Sequence, residues 1–323
     1  VATSLSPSLA GCRVWVAGHA GMLGQALLRA LEQSGATALT ASRAQLDLRD
    51  RDAVAAWLGQ ERPDMAVIAA ARVGGVAAYE AAPLDYLADN ALIALSVTAA
   101  AAAVRLPRLC FVASAAAYPE HAAQPLQESA LMSGPLDAAH RTYGLAKLLG
   151  IEAVASARRQ HGLDWFSVLP TNLYGRGGKD DAQNGHVLAT LVRRALAAKA
   201  DGDAEMLVWG TGAARRDFLH VDDCARAIVL LLGASHGHDV VNIGSGADVS
   251  IADLAAIISS AADYEGELRF DPSKPEGAAR RMMDIGRLRA LGWWPTISLR
   301  RGIAAMVEGA RVAKNVNGDM GAK

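Results

Sequence analysis

Apolar positions along the chain fall into two alternating kinds of run. Short β-rich stretches at 13–17, 38–42, 65–70, 109–113 and 165–169 read as strands, several of them apolar throughout. Between them, 25–33, 50–61, 83–104 and 143–161 carry apolar residues at helical spacing. Strand and helix in alternation predict parallel β-α-β units with helices on both faces, an α/β, Rossmann-type doubly wound sheet. After Tyr174 the pattern changes. A polar, glycine-rich loop at 175–185 precedes a helix at 186–199 and short strands near 206–209, 218–220 and 240–243. This predicts two interleaved domains: 11–174 with a returning segment at about 218–248, and a smaller one from 175–217 and 249–323. No internal repeat or low-complexity linker marks the boundary.

Composition narrows the function classes. The chain has 323 residues, 52% hydrophobic and 20% charged, which suits a folded core and excludes a disordered chain. Lys plus Arg number 32 against 33 Asp plus Glu, a net charge of −1, so no nucleic-acid partner is expected. Cys12, Cys110 and Cys224 stand far apart, without the spacing of a disulfide framework or a zinc site. No metal is expected. The longest apolar stretch, 92–104, is broken by Ser96 and Thr98 and reads as a packed alanine-rich helix too short for a bilayer. The first eight residues lack the cationic start and apolar run of a secretory leader, so a cytoplasmic location is expected.

Gly18, Gly21 and Gly24 lie between the first strand and the first helix, with Met22 and Leu23 among them. Glycines there permit a tight turn and close approach of the backbone to a pyrophosphate, which then faces the helix N-terminus. The spacing alone is common; its place at the opening of a β-α-β series makes it a dinucleotide loop. Ala70, ending the third strand, joins this cofactor set. The second strand ends Thr40-Ala41-Ser42-Arg43, with no acid for a ribose 2′-hydroxyl. Ser42 and Arg43 are therefore expected to hold a 2′-phosphate, making the cofactor NADPH; the alternative is that Arg43 is a solvated surface charge. Asp47 and Leu48 are expected to flank the adenine.

Tyr143 and Lys147 stand four residues apart, about one helical turn, so phenol and ammonium share a face. The cation is expected to lower the tyrosine pKa and to hold the cofactor ribose. Such a tyrosine can protonate a carbonyl oxygen while hydride reaches its carbon, and Ser114, just after the preceding strand, can bind the same oxygen.

With these motifs in this order, the chain resembles the extended short-chain dehydrogenase/reductases. Within them it resembles the GDP-L-fucose synthases, the 3,5-epimerase-4-reductases of GDP-4-keto-6-deoxymannose. The likeness covers nearly the whole length. It rests on Val16-Ala-Gly-His-Ala-Gly-Met-Leu-Gly24, Ala69-Ala-Ala-Arg-Val-Gly-Gly75, Pro170-Thr-Asn-Leu-Tyr-Gly175, Arg216-Asp-Phe-Leu-His-Val-Asp-Asp223, Lys274-Pro-Glu-Gly277 and Leu291-Gly-Trp-Trp-Pro295. The resemblance implies a reductase triad of Ser114, Tyr143 and Lys147, with Pro170, Thr171, Asn172 and Leu173 lining the nicotinamide. It makes His186 the epimerisation acid, beside both cofactor and substrate, and brings Asn172 and Val187 to the sugar. It implies that Arg194, Trp209 and Arg216 hold a GDP-sugar, with Arg280 or Arg281 facing the nucleotide and Arg280 taken into the substrate set. Guanidinium groups suit a diphosphate, and an aromatic face suits a base.

One departure matters. Where the family has Ser-Ser-Cys-x-Tyr-Pro, with the cysteine as epimerisation base, this chain reads Ser114-Ala-Ala-Ala-Tyr-Pro119. The base position is Ala116, and a methyl group takes no proton. The implied function is NADPH-dependent C4 reduction of a GDP-linked 4-keto-6-deoxy sugar, hexose or 6-deoxy-heptose, without 3,5-epimerisation, for surface polysaccharide. The alternatives are a bifunctional GDP-L-fucose synthase using another base, and a non-catalytic NADP-binding protein. Helices 83–104 and 143–161, apolar on more than one face, imply a homodimer through a four-helix bundle, as in related reductases. Tyr118, His121, His140 and Arg141 either recognise sugar or are merely exposed. Asn90 is either a helix-distorting residue behind the triad or a satisfied buried amide.

Overall fold

The computed structural model describes residues 9–177, 187–274 and 276–320. The chain runs through β1 (Arg13–Ala17), α1 (Met22–Gln33), β2 (Thr37–Leu39), α2 (Arg51–Glu61), β3 (Met65–Ile68) and α3 (Val76–Ala81). It continues through α4 (Pro83–Ala103), β4 (Arg108–Val112), α5 (Arg141–His161), β5 (Asp164–Pro170), β6 (Asn172–Tyr174) and α6 (Val187–Asp201). Then follow β7 (Glu205–Trp209), β8 (Arg215–Arg216), β9 (Phe218–His220), α7 (Val221–Gly233), β10 (Val240–Ile243), β11 (Val249–Ser250) and α8 (Ile251–Ala261). The last elements are β12 (Glu267–Asp271), β13 (Arg280–Arg281), α9 (Gly286–Ala290) and α10 (Leu299–Met320).

Six strands form one parallel sheet in the order β10-β5-β4-β3-β1-β2, so the expected Rossmann-type sheet is present. Strand order reverses at β1, and the crevice beyond the carboxyl ends of β1 and β3 is where such sheets bind ligands. Local signals set the ends of the helices. Asp50 caps α2 by accepting from the amides of Asp52 and Ala53, and α5 stops at Gly162, which takes the left-handed conformation. Trp15, Phe111, Trp165 and Phe166 are fully buried along the sheet, each worth about 2–3 kcal/mol of transfer free energy.

Two expectations need correction. Strand β2 ends at Leu39, short of 42, so Ser42 and Arg43 stand in the turn beyond it. The helix expected at 83–104 is present, but the reading that its apolar stretch is too short for a bilayer does not hold. α4 spans 21 residues at mean hydropathy 1.4, by length and composition enough to cross a bilayer. It buries the polar Asn90, Ser96 and Thr98 and packs against α2 and α5. The short strands expected at 206–209, 218–220 and 240–243 are present, whereas periodicity gave no sign of α3, α7, β8, β11 or β13.

A first apolar cluster fills both faces of the large sheet and takes in Met283, Ile285, Leu288 and Trp293 from the C-terminal part. A second joins Leu188, Leu191, Met206, Val208, Leu254, Ile258, Ile303 and Val307 from α6, β7, α8 and α10. Between them, Asp217 is buried without exposure. It accepts from Ser245 at its amide (3.0 Å) and hydroxyl (2.6 Å), and from the Met283 amide.

Candidate active site

Ser114 follows β4 in extended backbone and caps a single 3-10 turn, Ala115–Ala117, accepting from the Ala116 amide at 3.2 Å. The first turn of α5 lands on this turn. A Cβ on Gly144 would lie 2.4 Å from the Ala116 carbonyl oxygen, so only glycine lets the helix come this close. The approach brings the Tyr143 hydroxyl to the side of Ser114. Lys147, one turn further on, donates from Nζ to the Val112 carbonyl at 2.8 Å, with Phe111 and Tyr143 ring centroids 5.0 and 5.6 Å away.

Burial dominates the electrostatics of the pair. Desolvation pulls Lys147 down to about 8. It also pushes Tyr143 well above its ordinary value, with neighbouring Tyr79 adding to the rise and the Ser114 hydrogen bond opposing it. The expectation of a phenol acidified by Lys147 is corrected: the ammonium serves a backbone carbonyl, and loss of water outweighs its field. What results is a neutral phenol beside a serine hydroxyl, a proton donor at neutral pH.

At the dinucleotide edge, glycines are needed for contact reasons. Gly18 has φ +93°, and a Cβ there would lie 2.6 Å from the Ala70 amide nitrogen. On Gly24 it would lie 2.1 Å from the Gly18 carbonyl oxygen. Gly21 is the N-cap of α1 and offers no side-chain cap, so the amides of Met22 and Leu23 in the first turn have no side-chain acceptor there. These residues fit a dinucleotide pyrophosphate. Ser42 and Arg43 are both exposed at the carboxyl end of β2, the Ser42 hydroxyl lying 2.8 Å from Gln45 Oε1. Arg49 pairs with Asp47 at 2.6 Å and holds its carboxyl at about 2. Leu48 packs on the core. Pro170 ends β5, and Leu173 is half-buried in β6. Thr171 Oγ1 and Asn172 Nδ2 both donate to the Asp217 carbonyl, at 3.0 and 2.9 Å.

On the other side of the crevice, β8 and β13 pair in parallel with Arg215 opposite Arg280 and Arg216 opposite Arg281. Alternation along a strand divides these four arginines between two faces. Arg215 and Arg280 both clamp Asp248. Arg216 and Arg281 are half-buried and have no salt-bridge partner among the described residues; burial lowers the pKa of both. Arg281 donates to the Ala115 carbonyl at 3.2 Å, directly beside the Ser114 turn. The residue turned to the site is therefore Arg281. Arg280, assigned to the substrate from the sequence, is turned to a carboxylate. Arg194 lies 5.3 Å over the exposed ring of Trp209. Val187 opens α6, half exposed, whereas His186 lies outside the described residues.

The structure places the other residues singled out in the sequence as follows. Tyr118 is buried and donates to Asn242 Oδ1 at 2.7 Å, so it belongs to the core. Asn90 is a satisfied amide that clamps the 72–75 loop, accepting from the Arg72 amide and donating to the Arg72 and Tyr86 carbonyls. Trp293 is buried, and exposed Trp294 lies under Arg289. His121 and Arg141 are exposed, and His140 pairs with Asp137 at 2.8 Å. Sequence reasoning missed Asp217, Tyr79 and Tyr86, although Asp217 stood inside the Arg216 to Asp223 motif. Among the described residues no cluster of His, Cys, Asp or Glu forms a metal site.

The sequence profile of the NAD dependent epimerase/dehydratase family matches residues 14–244, from β1 through the last strand of the large sheet. The chain belongs to that family. As a member, it is similar to the GDP-L-fucose synthase of Sinorhizobium fredii, 38% identical over 300 residues that cover 93% of this chain and 96% of that one. It is similar as well to the GDP-L-fucose synthase of Escherichia coli K12, at 39% identity with 91% and 94% covered. Among solved structures, a GDP-6-OMe-4-keto-L-xylo-heptose reductase from C. jejuni superposes with TM-score 0.86 at 28% identity, covering 94% of this chain and 98% of that one. A GDP-mannoheptose C4 reductase from Campylobacter jejuni with NADP bound gives 0.83 at 29% identity, with 93% and 98% covered. The family member described here is thus an NAD(P)-dependent oxidoreductase related to nucleotide-sugar enzymes, as the motifs led one to expect.

Proposed function

We propose that the protein is an NADPH-dependent C4 keto-reductase of a GDP-linked 4-keto-6-deoxy sugar, hexose or 6-deoxy-heptose, that does not epimerise C3 or C5. One observation carries the reading. Ser114, Tyr143 and Lys147 converge, while the side chain of the turn beside them, at Ala116, is a methyl group.

Bound NADPH supplies the hydride that adds to C4. Tyr143 gives its proton to the C4 oxygen as negative charge develops there, and the Ser114 hydroxyl donates to the same oxygen, so the ketone becomes an alcohol with one hydride and one proton gained. Lys147 holds ribose hydroxyls. The 18–24 loop receives the pyrophosphate, Ser42 and Arg43 the 2′-phosphate, and Pro170 to Leu173 line the nicotinamide side. Arg216 and Arg281, desolvated and without carboxylate partners among the described residues, suit a diphosphate, and Trp209 beneath Arg194 suits a guanine face. His186, Val187 and Asn172 complete the sugar side. Residues 175–217 and 249–323 form the GDP-sugar domain in this reading, supported by the second apolar cluster. Leu92, Leu95, Leu145 and Leu149, exposed along α4 and α5, support a two-fold dimer in which these helices form a bundle. The enzyme works in the cytoplasm on precursors of surface polysaccharide.

The reading is tested by incubating the enzyme with NADPH and either GDP-4-keto-6-deoxymannose or its heptose counterpart in D₂O, then solving the product configuration by NMR. Reduced product without deuterium at C3 or C5 is expected. A second reading, the bifunctional GDP-L-fucose synthase, draws on the names of the relatives at 38–42% identity. Fast deuterium uptake with an inverted product would establish it instead.

A further inference from the structure

Tyr143 is held on more than one side. Its hydroxyl lies beside Ser114, Lys147 Nζ lies over the ring 5.6 Å from its centroid, and the ring of Tyr79 stacks on it with centroids 5.4 Å apart and planes 17° from parallel. Tyr79 comes from α3, a helix of six residues that the sequence pattern did not predict. Such a short helix does not hold a ring in place unaided, and the surroundings supply the support. Tyr86 from α4 meets Tyr79 edge-on at 4.9 Å, and His140 does so at 5.9 Å. The Gly74 amide donates to the Tyr79 hydroxyl at 3.4 Å. Gly74 is itself confined: a Cβ there would stand 2.6 Å from the Tyr86 hydroxyl. The loop carrying Gly74 is fixed by Asn90, and Arg72 in that loop lies 4.7 Å over the Tyr86 ring while pairing with Asp85 and Asp89. Among the described residues, the partly buried apolar side chains packed against the three tyrosines are Ala71, Ala78, Ala82 and Ala116. Tyr79 is buried, and no contact gives it a place at the reacting atoms.

We propose that Tyr79 is a positioning residue, whose stacked ring holds Tyr143 in the orientation that aims its hydroxyl at both Ser114 and the substrate carbonyl. The proposal rests on Tyr143 being the proton donor. A phenol on a single-bonded arm swings about χ1 and χ2, and proton transfer needs the oxygen within hydrogen-bond reach of its acceptor. A parallel ring on one face removes that swing without touching the substrate. Offset stacks of this kind add modestly to what area burial supplies, which biases the ring toward this orientation. Ala116, which lacks a base, packs against this same tyrosine cluster.

The test compares Tyr79→Leu with Tyr79→Phe. Leucine keeps apolar bulk but no ring plane, and is expected to lower kcat by about 10- to 100-fold through misplacement, with the KM for NADPH within about twofold of wild type. Phenylalanine keeps the ring and loses only the long Gly74 bond, so it should restore kcat to within about threefold of wild type. Wild-type kcat in the leucine variant, or an equal loss in both variants, overturns the proposal. Should the leucine variant not fold, the stack is measured directly, by ring-to-ring NOEs in wild-type protein carrying ¹³C-labelled tyrosine, with Tyr143 assigned through Tyr143→Phe. Their presence is expected, and their absence overturns the stack. If wild-type enzyme reduces no GDP-4-keto sugar, the proposed function fails, and the NOE measurement still decides the stack separately.

Discussion

The two edges of the crevice are made of different material. The dinucleotide edge is backbone: Gly18 and Gly24 are there because a Cβ would strike neighbouring main chain, and the first turn of α1 has no side-chain cap. The edge we propose for the substrate is side chain: guanidinium groups from β8 and β13, paired across some sixty-five residues, with the β7 tryptophan under Arg194 assigned to it as well. A backbone site is coded by a contiguous stretch. A side-chain site depends on which face of a short strand each residue occupies, so its members change with register.

Between the edges stands the triad, where the largest effect is expected. Tyr143→Phe removes the only hydroxyl that acts as acid and should lower turnover by about 10²–10⁴-fold. Binding of NADPH, measured by fluorescence, should be nearly unchanged, because the dinucleotide edge is untouched. Wild-type turnover in this variant would remove Tyr143 from the mechanism.

The substrate edge is tested by its paired arginines. Arg281→Ala should raise the KM for a GDP-sugar by about 10- to 100-fold, from loss of a charge-assisted contact to diphosphate. Arg280→Ala, which frees only an Asp248 clamp, should change it by about twofold or less. Equal effects would mean the register does not sort these side chains. Asp217→Ala strikes the joint between the edges. It strips the acceptor from the Ser245 and Met283 amides and should cost about 2–4 kcal/mol of stability, read as denaturant midpoint.

At the dinucleotide edge, Arg43→Asp should erase a preference for NADPH over NADH, since a 2′-phosphate then meets a carboxylate. If wild type already uses both equally, Arg43 is a surface charge and nothing more. The smallest effect concerns Lys147. At pH 8.5 an ammonium depressed to about 8 is mostly neutral in the free protein. Cofactor phosphates and ribose hydroxyls favour its charged form, so binding should take up a fraction of a proton, seen by calorimetry in buffers of different ionisation enthalpy. At pH 6.5, where it is already charged, the uptake should vanish.

Much of this was legible in the residues alone. Alternating strand and helix periods give a doubly wound sheet because consecutive parallel strands need a crossover and burial on both faces. Glycine spacing, the Tyr143 to Lys147 interval and the methyl at 116 are statements about neighbours in the chain, and they keep their meaning whatever the rest of the fold does. Tertiary structure decided what depends on distant partners. Desolvation, not the nearby cation, governs the Tyr143 proton. Asp47 pairs with Arg49, a partner the sequence reading did not assign it. Tyr79 reaches Tyr143 across more than sixty residues through a helix too short to announce itself. Between two adjacent arginines, only the pairing of β13 with β8 settles that Arg281 faces the site and Arg280 turns to Asp248. Side chains alternate along a strand, and a shift of one residue would exchange the two.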